Sequence, residues 1–368
     1  MHILDLLIFA AYLIAMLGVG FYFLRRNKDT DDYFVGGRKM GSLHIGLSVV
    51  ATDVGGGFSI GLGGLGFIMG VAGSWLLFTG LIGAWVAGVF LIPKVFNIAS
   101  SRGYLTFPQF LSSVFNKKVA LIAGIISAIS YLGFTSSQIL AGAKLASSTF
   151  DGLNLDQALL LMGVIAIVYT ALGGLKAVIY TDTIQWIILL TGLIFVALPF
   201  TLSAIGGWET VRATVGPEFL SLGNVSWQQI VNWSFTIIPI WFVGMTLYQR
   251  IYAAKDQKTA QRGWFLAGLF EYPIMAFIGV VLGMLARVAI MNDVITGHTV
   301  ESIDPEMGLP ILLKTILPVG FLGIVLSVYF SAIMSTADSC LMASSGNILT
   351  DVLNKHEGKR SLRYSQLL

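Results

Sequence analysis

Charged residues are scarce in this sequence of 368 residues. Asp, Glu, Lys and Arg make up only 11% of it, whereas about 25% is usual in soluble domains. Hydrophobic residues make up 56%, and the mean hydropathy is +0.82. The composition therefore excludes an ordinary soluble domain and predicts a polytopic protein whose partner is the lipid bilayer.

Cysteine and paired histidines are lacking as well. The single cysteine, Cys340, excludes an internal disulfide, and none of the four histidines lies at ligand spacing from another. The sequence contains no Walker loop, dinucleotide fingerprint or low-complexity tract, and its apolar segments hold no pair of nucleophile and base. We therefore expect no enzyme activity, no organic cofactor, no transition-metal centre and no nucleic-acid partner.

Apolar segments alternate with short polar links and predict an all-α protein, a single domain over residues 1–368 with about nine transmembrane helices. The lead helix, residues 3–24, is followed by the basic run 25–28. Because this charge follows the apolar run, the helix is expected to be retained rather than cleaved, with its N-terminus outside. The core helices extend over residues 43–348, and residues 351–368 form a cytoplasmic tail.

Basic residues support this orientation. Arg250 falls in a predicted cytoplasmic loop, residues 250–262, and most other basic residues fall on the same side. Of the 22 Lys and Arg residues, those placed outside or near the outer face are Lys144, Arg212, Arg287 and Lys314.

One apolar segment carries features that a simple membrane anchor would lack. The stretch 49–64 contains Asp53 and the consecutive glycines 55–57. A charge at membrane depth costs about 2.5–3.5 kcal/mol on insertion scales, and each glycine weakens a helix by about 1 kcal/mol. A helix that breaks at the midplane and holds a cation on its freed carbonyls explains both features. The alternative is a close-packed glycine face beside one neutral buried acid.

A second interruption is predicted between Ile230 and Tyr248. Pro239 is expected to break the helix interior there, and Gly244 to relax it. Two interrupted apolar segments in one chain are typical of transporters built on inverted repeats.

Three acids, Asp53, Asp182 and Asp338, lie within three different apolar segments. Ser335, Asp338 and Ser339 have the i, i+3, i+4 spacing that places them on one helix face. Carboxylate and hydroxyl oxygens at membrane depth suit a hard cation, so sodium or a proton is predicted. Hydroxyls bonded to their own preceding turn are the alternative, but this does not account for Asp338.

Further segments complete a recognisable set of motifs. They are Asp32-Tyr33-Phe34, Gly36-Gly37-Arg38, Ala51–Gly57, Gly173-Gly174 with Tyr180-Thr181-Asp182, Gln249-Arg250 and Ser331–Ser339. Over essentially its whole length the chain resembles the sodium/solute symporter family, which includes proline, pantothenate, choline, sugar, iodide and sialic-acid transporters. The resemblance implies a LeuT-type bundle of two inverted five-helix repeats, preceded by one extra N-terminal helix. Because two repeats need ten core spans and about eight follow the lead helix, the second repeat is expected to be incomplete.

The resemblance also implies ion sites, for one or two sodium ions. The common sodium site falls on Ala51, Val54, Ala332, Ser335 and Thr336. A second sodium site, present in some members, falls on Asp182, Ser335, Asp338 and Ser339. Asp53 matches the acid that supports sodium binding in the proline transporters.

The solute is expected between the two interrupted helices. The positions predicted to bind it are Gly55, Gly56, Ser59, Phe78, Gln138, Trp241, Phe242 and Thr246. The implied function is sodium-coupled import across the cell membrane of a small organic solute, such as proline. Pantothenate, a monocarboxylate or a choline-like solute are alternatives, although the aromatic cage that would hold choline is absent here. A membrane sensor module of the same fold is the alternative from another functional class.

Overall fold

A computed structural model describes residues 2–56, 61–150, 152–355 and 364, and helices dominate throughout this part. The first helices are α1 (Ile3–Leu24), α2 (Thr30–Val35), α3 (Ser42–Gly56), α4 (Gly63–Met69), α5 (Trp75–Val86), α6 (Ile92–Arg102), α7 (Phe107–Val114), α8 (Lys117–Thr149) and α9 (Leu155–Gly192). They are followed by α10 (Leu198–Ala204), α11 (Gly207–Thr214), α12 (Trp227–Val243), α13 (Met245–Ala253), α14 (Gln257–Leu269), α15 (Ala276–Met291), α16 (Pro305–Ile316) and α17 (Phe321–Asn347).

Polar capping residues determine where the long helices begin. The side chain of Asn116 accepts a hydrogen bond from the first turn of α8, and Asn154 forms a capping box at the start of α9. Asp256 caps α14 by accepting from the Thr259 N–H at 2.7 Å, and this hydrogen bond lowers the pKa of the exposed Asp256 carboxyl. These helix starts are therefore specified locally by the sequence.

The central helix is α17, which packs against α1, α3, α8 and α9. Its residues are buried almost without exception, although they include a run of serines, Thr336 and Asp338. A polar helix at the centre of an apolar bundle must find its hydrogen-bond partners among its neighbours. This arrangement makes α17 the natural place for a polar site.

The lead helix is tied to α17 by a carboxylate. Asp5 on α1 is 2% exposed, and its Oδ1 accepts hydrogen bonds from the N–H groups of Gly320 and Gly323 at 2.7 and 2.8 Å. The first N–H groups of a helix have no intrahelical acceptor, and a negative charge there is favourable. Asp5 therefore caps α17 from a different helix.

Replacing Asp5 by Ala should lower the free energy of unfolding by about 2 kcal/mol, because one buried and one partly buried N–H group lose their charged acceptor. Asp5→Asn keeps one acceptor oxygen and should cost less. Unfolding of the purified protein in detergent measures the change, with Asp156→Ala on the exposed first turn of α9 as the control. Equal effects of Asp5→Ala and Asp156→Ala would show that the cap contributes nothing.

The predicted interruption of the first core helix is present. Gly55, at the end of α3, has a φ of 36° and a ψ of −136°, values that only glycine adopts readily. A Cβ on Gly55 would come within 2.7 Å of the Thr336 Cβ. Helical structure resumes in α4, at Gly63.

A second sharp bend lies inside α9. Gly174 has a φ of 63° and a ψ of 179°, so two helical segments meet at this residue. After the bend, Asp182 contacts Ser335 of α17, and Gly192, ten residues later, lies against Val328. The second half of α9 therefore runs antiparallel to α17.

The later interruption is also present, but not where the sequence placed it. α12 continues through Pro239, and the chain leaves the helical conformation at Gly244, whose ψ is 113°. The axes of α12 and α13 differ by 44°. The prediction that Pro239 breaks the helix is therefore wrong. Membrane helices tolerate an internal proline because neighbouring groups satisfy the backbone that it frees.

Six helical stretches of the described part are long and apolar enough to cross a bilayer, or seven if the bent pair α12–α13 counts as one. The predicted count of nine is not confirmed. Three of the six stretches contain a residue outside the helical conformation, namely Gly70, Gly174 and Tyr272. Most of the predicted tail lies outside the described residues.

Candidate cation and solute sites

The hydroxyl of Thr336 on α17 lies against the broken end of α3. Its Oγ1 is 3.1 Å from the carbonyl oxygens of both Ala51 and Thr52, and 3.4 Å from that of Ala332. Because Gly55 leaves the helical conformation, carbonyls near the end of α3 lose the N–H groups that a continuing helix would supply. Three positions predicted for the common sodium site, Ala51, Ala332 and Thr336, therefore meet in one cluster.

The other two positions predicted for the common sodium site, Val54 and Ser335, have different surroundings. Val54 is buried in the last turn of α3. Ser335 precedes Thr336 on α17, but its hydroxyl donates a hydrogen bond to Oδ1 of Asp182. Ser335 thus links the first predicted cation site to the second.

Asp182 lies in a fully buried polar cluster. Besides Ser335, the Ser48 hydroxyl donates to its Oδ2 at 2.5 Å. Nη2 of Arg250 lies 3.5 Å from the same oxygen, and both charged side chains are 0% exposed. A carboxylate buried this deeply requires a compensating charge and hydrogen-bond donors, and the guanidinium and two hydroxyls provide them.

Arg250 lies in the core, so the prediction that it belongs to a cytoplasmic loop is wrong. The helix α13 continues beyond the predicted end of that span and places Arg250 opposite α3 and α17. The guanidinium donates to Ser48 Oγ at 3.2 Å, to Ser339 Oγ at 2.6 Å and to the Thr246 carbonyl at 3.3 Å. Its burial is possible because its donors are paired and Asp182 balances its charge.

The remaining residues of the predicted second sodium site make other contacts. Asp338 accepts a hydrogen bond from the Thr170 hydroxyl at 2.6 Å. Ser339, besides its contact with Arg250, lies 3.1 Å from the Thr52 hydroxyl. All four predicted side chains are buried. In the described part of the chain, the hydrogen bond that joins two of them directly is the one that Ser335 donates to Asp182.

Sequence reasoning missed Ser48, Thr170 and Arg250 as members of this cluster. Ser48 lies four residues before Thr52, so the i, i+4 rule could have placed both on one face of α3. Arg250 belongs to a quoted motif, but its charge favoured a loop. Thr170 gave no signal, because an isolated threonine in an apolar segment usually bonds to its own helix.

Two groups of predicted solute positions are formed, and the first lies beside α8. A Cβ on Gly55 would lie 3.0 Å from Oε1 of Gln138. The Tyr131 hydroxyl is 3.3 Å from the N–H of Thr246 and 3.4 Å from its hydroxyl. Tyr131 and Gln138 are two turns apart on α8, so they present polar groups along one face.

The second group lies beside α5. The ring of Phe78 packs edge-on against Tyr272, with 5.1 Å between centroids. The indole of Trp241 lies against the Cα of Gly83 and is fully buried. Aromatic walls of this kind are usual in small-molecule sites.

Three predicted solute positions remain, namely Gly56, Phe242 and Ser59. Gly56 is the last residue of α3, and the carbonyl of Phe242 accepts a hydrogen bond from the Tyr248 hydroxyl at 2.9 Å. Ser59 lies outside the described residues.

Asp53 faces another acid. The carboxyl groups of Asp53 and Glu271 lie close to each other. Glu271 belongs to the irregular turn Phe270–Met275 between α14 and α15. It is 0% exposed, and neither of its oxygens accepts a hydrogen bond from a donor in the described part of the chain.

The sequence profile of the Sodium:solute symporter family matches residues 33–364. A sodium/glucose cotransporter of Vibrio parahaemolyticus is 27% identical over 96% of this chain. The high-affinity proline transporter PutP of Bacillus subtilis is 28% identical, also over 96% of the chain. The chain spans 69% and 74% of these two relatives, and 59% of a rabbit sodium/glucose cotransporter 1 that is 27% identical.

A solved structure of a Na⁺-coupled sialic acid symporter, in a substrate-bound outward-open state, has the same fold. It superposes with a TM-score of 0.84 over 99% of this chain and 79% of that one, at 21% identity. The all-helical LeuT-type fold predicted from the sequence is therefore confirmed, apart from the number of spans.

Proposed function

Because this chain belongs to the sodium:solute symporter family, we propose that it couples the entry of sodium to the import of a small organic solute by alternating access. The observation that carries this proposal is the contact of the Thr336 hydroxyl with the Ala51 carbonyl at the break of α3. It brings a backbone oxygen and a hydroxyl together at the centre of the bundle. Catalysis is not part of the proposed function.

The first sodium ion would be held by the carbonyl oxygens of Ala51, Val54 and Ala332 and the hydroxyls of Ser335 and Thr336. These are the hard oxygen ligands that such an ion prefers. An ion that joins α3 to α17 would fix the geometry of the break and thereby preorganise the adjacent solute positions. Ion and solute would then bind with positive coupling.

A second sodium ion would be placed among Asp182, Ser335, Asp338 and Ser339. Asp338 supports one further cation there, because Arg250 pairs with Asp182 and the Asp338 carboxyl, which accepts from Thr170, has no basic partner in the described part of the chain. A monovalent ion restores neutrality, which a buried cluster requires.

We propose an amino acid such as proline as the solute, held by Gly55, Gly56, Ser59, Phe78, Gln138, Trp241, Phe242 and Thr246. The likeness to the Bacillus subtilis proline transporter supports this choice, whereas the Vibrio relative is named for glucose. Pantothenate and monocarboxylates are the further alternatives. A sensor of the same fold would bind solute without sodium-driven uptake.

The cell membrane is the proposed location, with the N-terminus outside. Large apolar side chains on the outer surfaces of the long helices support contact with lipid. Ile14 on α1 is 70% exposed, Ile129 on α8 66% and Phe235 on α12 80%. Such exposure is unfavourable in water and favourable in a bilayer.

Thr336→Val removes one hydroxyl and keeps the shape of the side chain. The apparent affinity for sodium should fall at least about tenfold, because a hydrogen-bonding ligand of a charged group contributes about 1.5–3 kcal/mol. The measurement is uptake of labelled L-proline, D-glucose and pantothenate by the full-length protein in proteoliposomes, over a range of inward sodium gradients.

The matched control is Thr201→Val, because the Thr201 hydroxyl is buried and bonds to its own helix, at the Ala197 carbonyl. This variant should keep the wild-type sodium dependence. Solute uptake that does not respond to sodium in the wild type would refute the symport proposal.

A further inference from the structure

Two acids from two interrupted helices meet in the interior. Asp53 is in the last turn of α3, before the break at Gly55. Glu271 is in the turn before α15, where Tyr272 leaves the helical conformation with a φ of −135° and a ψ of 126°. Glu271 is completely buried, whereas Asp53 keeps part of its surface accessible. Asp53 is therefore the more accessible member of the pair.

The pair has no positive partner in the described part of the chain. The electrostatic neighbour of Glu271 is Asp53 itself, and no lysine or arginine acts on either carboxyl. Arg250, the buried guanidinium, is paired with Asp182. Two facing carboxylates cannot both remain charged in an apolar interior without a cation or a shared proton. Among the described residues, the oxygens of Glu271 are therefore left for a donor that a ligand would bring.

An unpaired donor lies close to these unpaired acceptors. On α5, Gly80 faces the Glu271 carboxyl, and Gly83, one turn later, faces the Trp241 indole. The Trp241 Nε1 is buried and has no acceptor among the described residues. Three residues along a helix correspond to about 4.5 Å. Both glycines allow these side chains to pack directly against the backbone of α5.

We propose that this place binds a zwitterionic amino acid, whose ammonium group lies between Asp53 and Glu271 and whose carboxylate lies toward the Trp241 N–H. An ammonium group has three donors, enough for both oxygens of Glu271 and one of Asp53. Among the described residues, unpaired acceptors and an unpaired donor on neighbouring turns of α5 match the opposite charges at the two ends of an α-amino acid. The inference rests on the proposed symport function and assigns its solute class.

Other solutes lack one of these charges. A sugar brings no cation to the acid pair, and pantothenate or a monocarboxylate brings an anion that the pair repels. The nearby rings of Phe78 and Tyr272 also favour an organic ammonium group over a small metal ion.

The test compares L-proline with cyclopentanecarboxylate, which has the same ring and carboxylate but no ammonium group. The full-length protein is first screened in detergent with sodium for stabilisation against heat by each of the twenty amino acids, cyclopentanecarboxylate, D-glucose and pantothenate. At least one amino acid should raise the melting temperature, and the other three probes should not. Uptake of that amino acid is then measured in proteoliposomes.

Glu271→Gln keeps the shape and removes the charge. It should raise the KM for the amino acid at least about tenfold, as expected for a lost charged hydrogen bond, and leave the half-saturating sodium concentration within about twofold. Gly80→Ala, which pushes a methyl group against Glu271, should raise KM in the same direction. Glu209→Gln on the exposed outer helix α11 is the control and should change neither quantity.

Three results would overturn the assignment. Sodium-driven uptake of D-glucose or pantothenate, with every amino acid inert, would leave symport intact and reject the solute class. A Glu271→Gln variant with altered sodium dependence and an unchanged KM for the amino acid would make the pair an ion site. The absence of stabilisation by any amino acid would also count against the proposal, whereas sodium-independent uptake would reject the symport function itself.

Discussion

Replacing Arg250 by Met is expected to lower the free energy of unfolding by about 3–5 kcal/mol, the cost of leaving a buried carboxylate without its partner. The guanidinium contacts Asp182, Ser48 and Ser339 at once. Arg250→Lys should recover only part of the loss, because a single ammonium group cannot reproduce the fork of donors. Unfolding of the purified protein in detergent provides the measurement.

The double variant Arg250→Met with Asp182→Asn separates the charge from the packing. Once Asp182→Asn has removed the charge of the carboxylate, Arg250→Met should lower the free energy of unfolding by less than it does alone. The difference between these two losses is the coupling energy of the pair. Arg262→Met, at an exposed position of α14, is the matched control. A stability loss for Arg250→Met no larger than that of Arg262→Met would show that the buried ion pair contributes nothing.

Gly55→Ala should have the largest effect on ion coupling. The φ of 36° costs a non-glycine residue about 1–2 kcal/mol, and the added methyl group collides with Thr336, which costs about 1–3 kcal/mol more. Together these correspond to roughly a 30-fold or greater loss of apparent sodium affinity. Sodium-dependent solute uptake in proteoliposomes is the measurement.

Gly133→Ala on α8 is the control, because nothing lies within 4 Å of the added Cβ. It should preserve uptake and slightly stabilise the helix. If Gly55→Ala retained the wild-type sodium dependence, the distorted end of α3 would not be the ion site.

The sequence predicted the features that depend on local chemistry. Asp53 beside three glycines indicated the break of the first core helix, and the spacing of Ser335, Asp338 and Ser339 placed them on one helix. Local chemistry did not determine the second break, because Pro239 is a helix breaker whose backbone defect is tolerated in the folded bundle.

The partners of the buried charges were not predictable from one sequence. Arg250 pairs with a carboxylate 68 positions earlier in the chain, and Glu271 faces Asp53 across an even longer separation. Such pairs depend on how helices pack rather than on any periodic pattern. A basic residue at the end of an apolar segment also favours a loop under the charge rule from which the orientation was predicted.

The hydrogen bonds from Gly320 and Gly323 to Asp5 have a mechanical consequence. They fasten α1 to α17, which packs on α8 and α9, so these four helices pack together as one body. A second body contains α5, α12 and α14, and α3 contacts both. A sodium ion between α3 and Thr336 would hold the two bodies together. The lead helix, although outside the repeats, would then belong to the frame against which the other body moves.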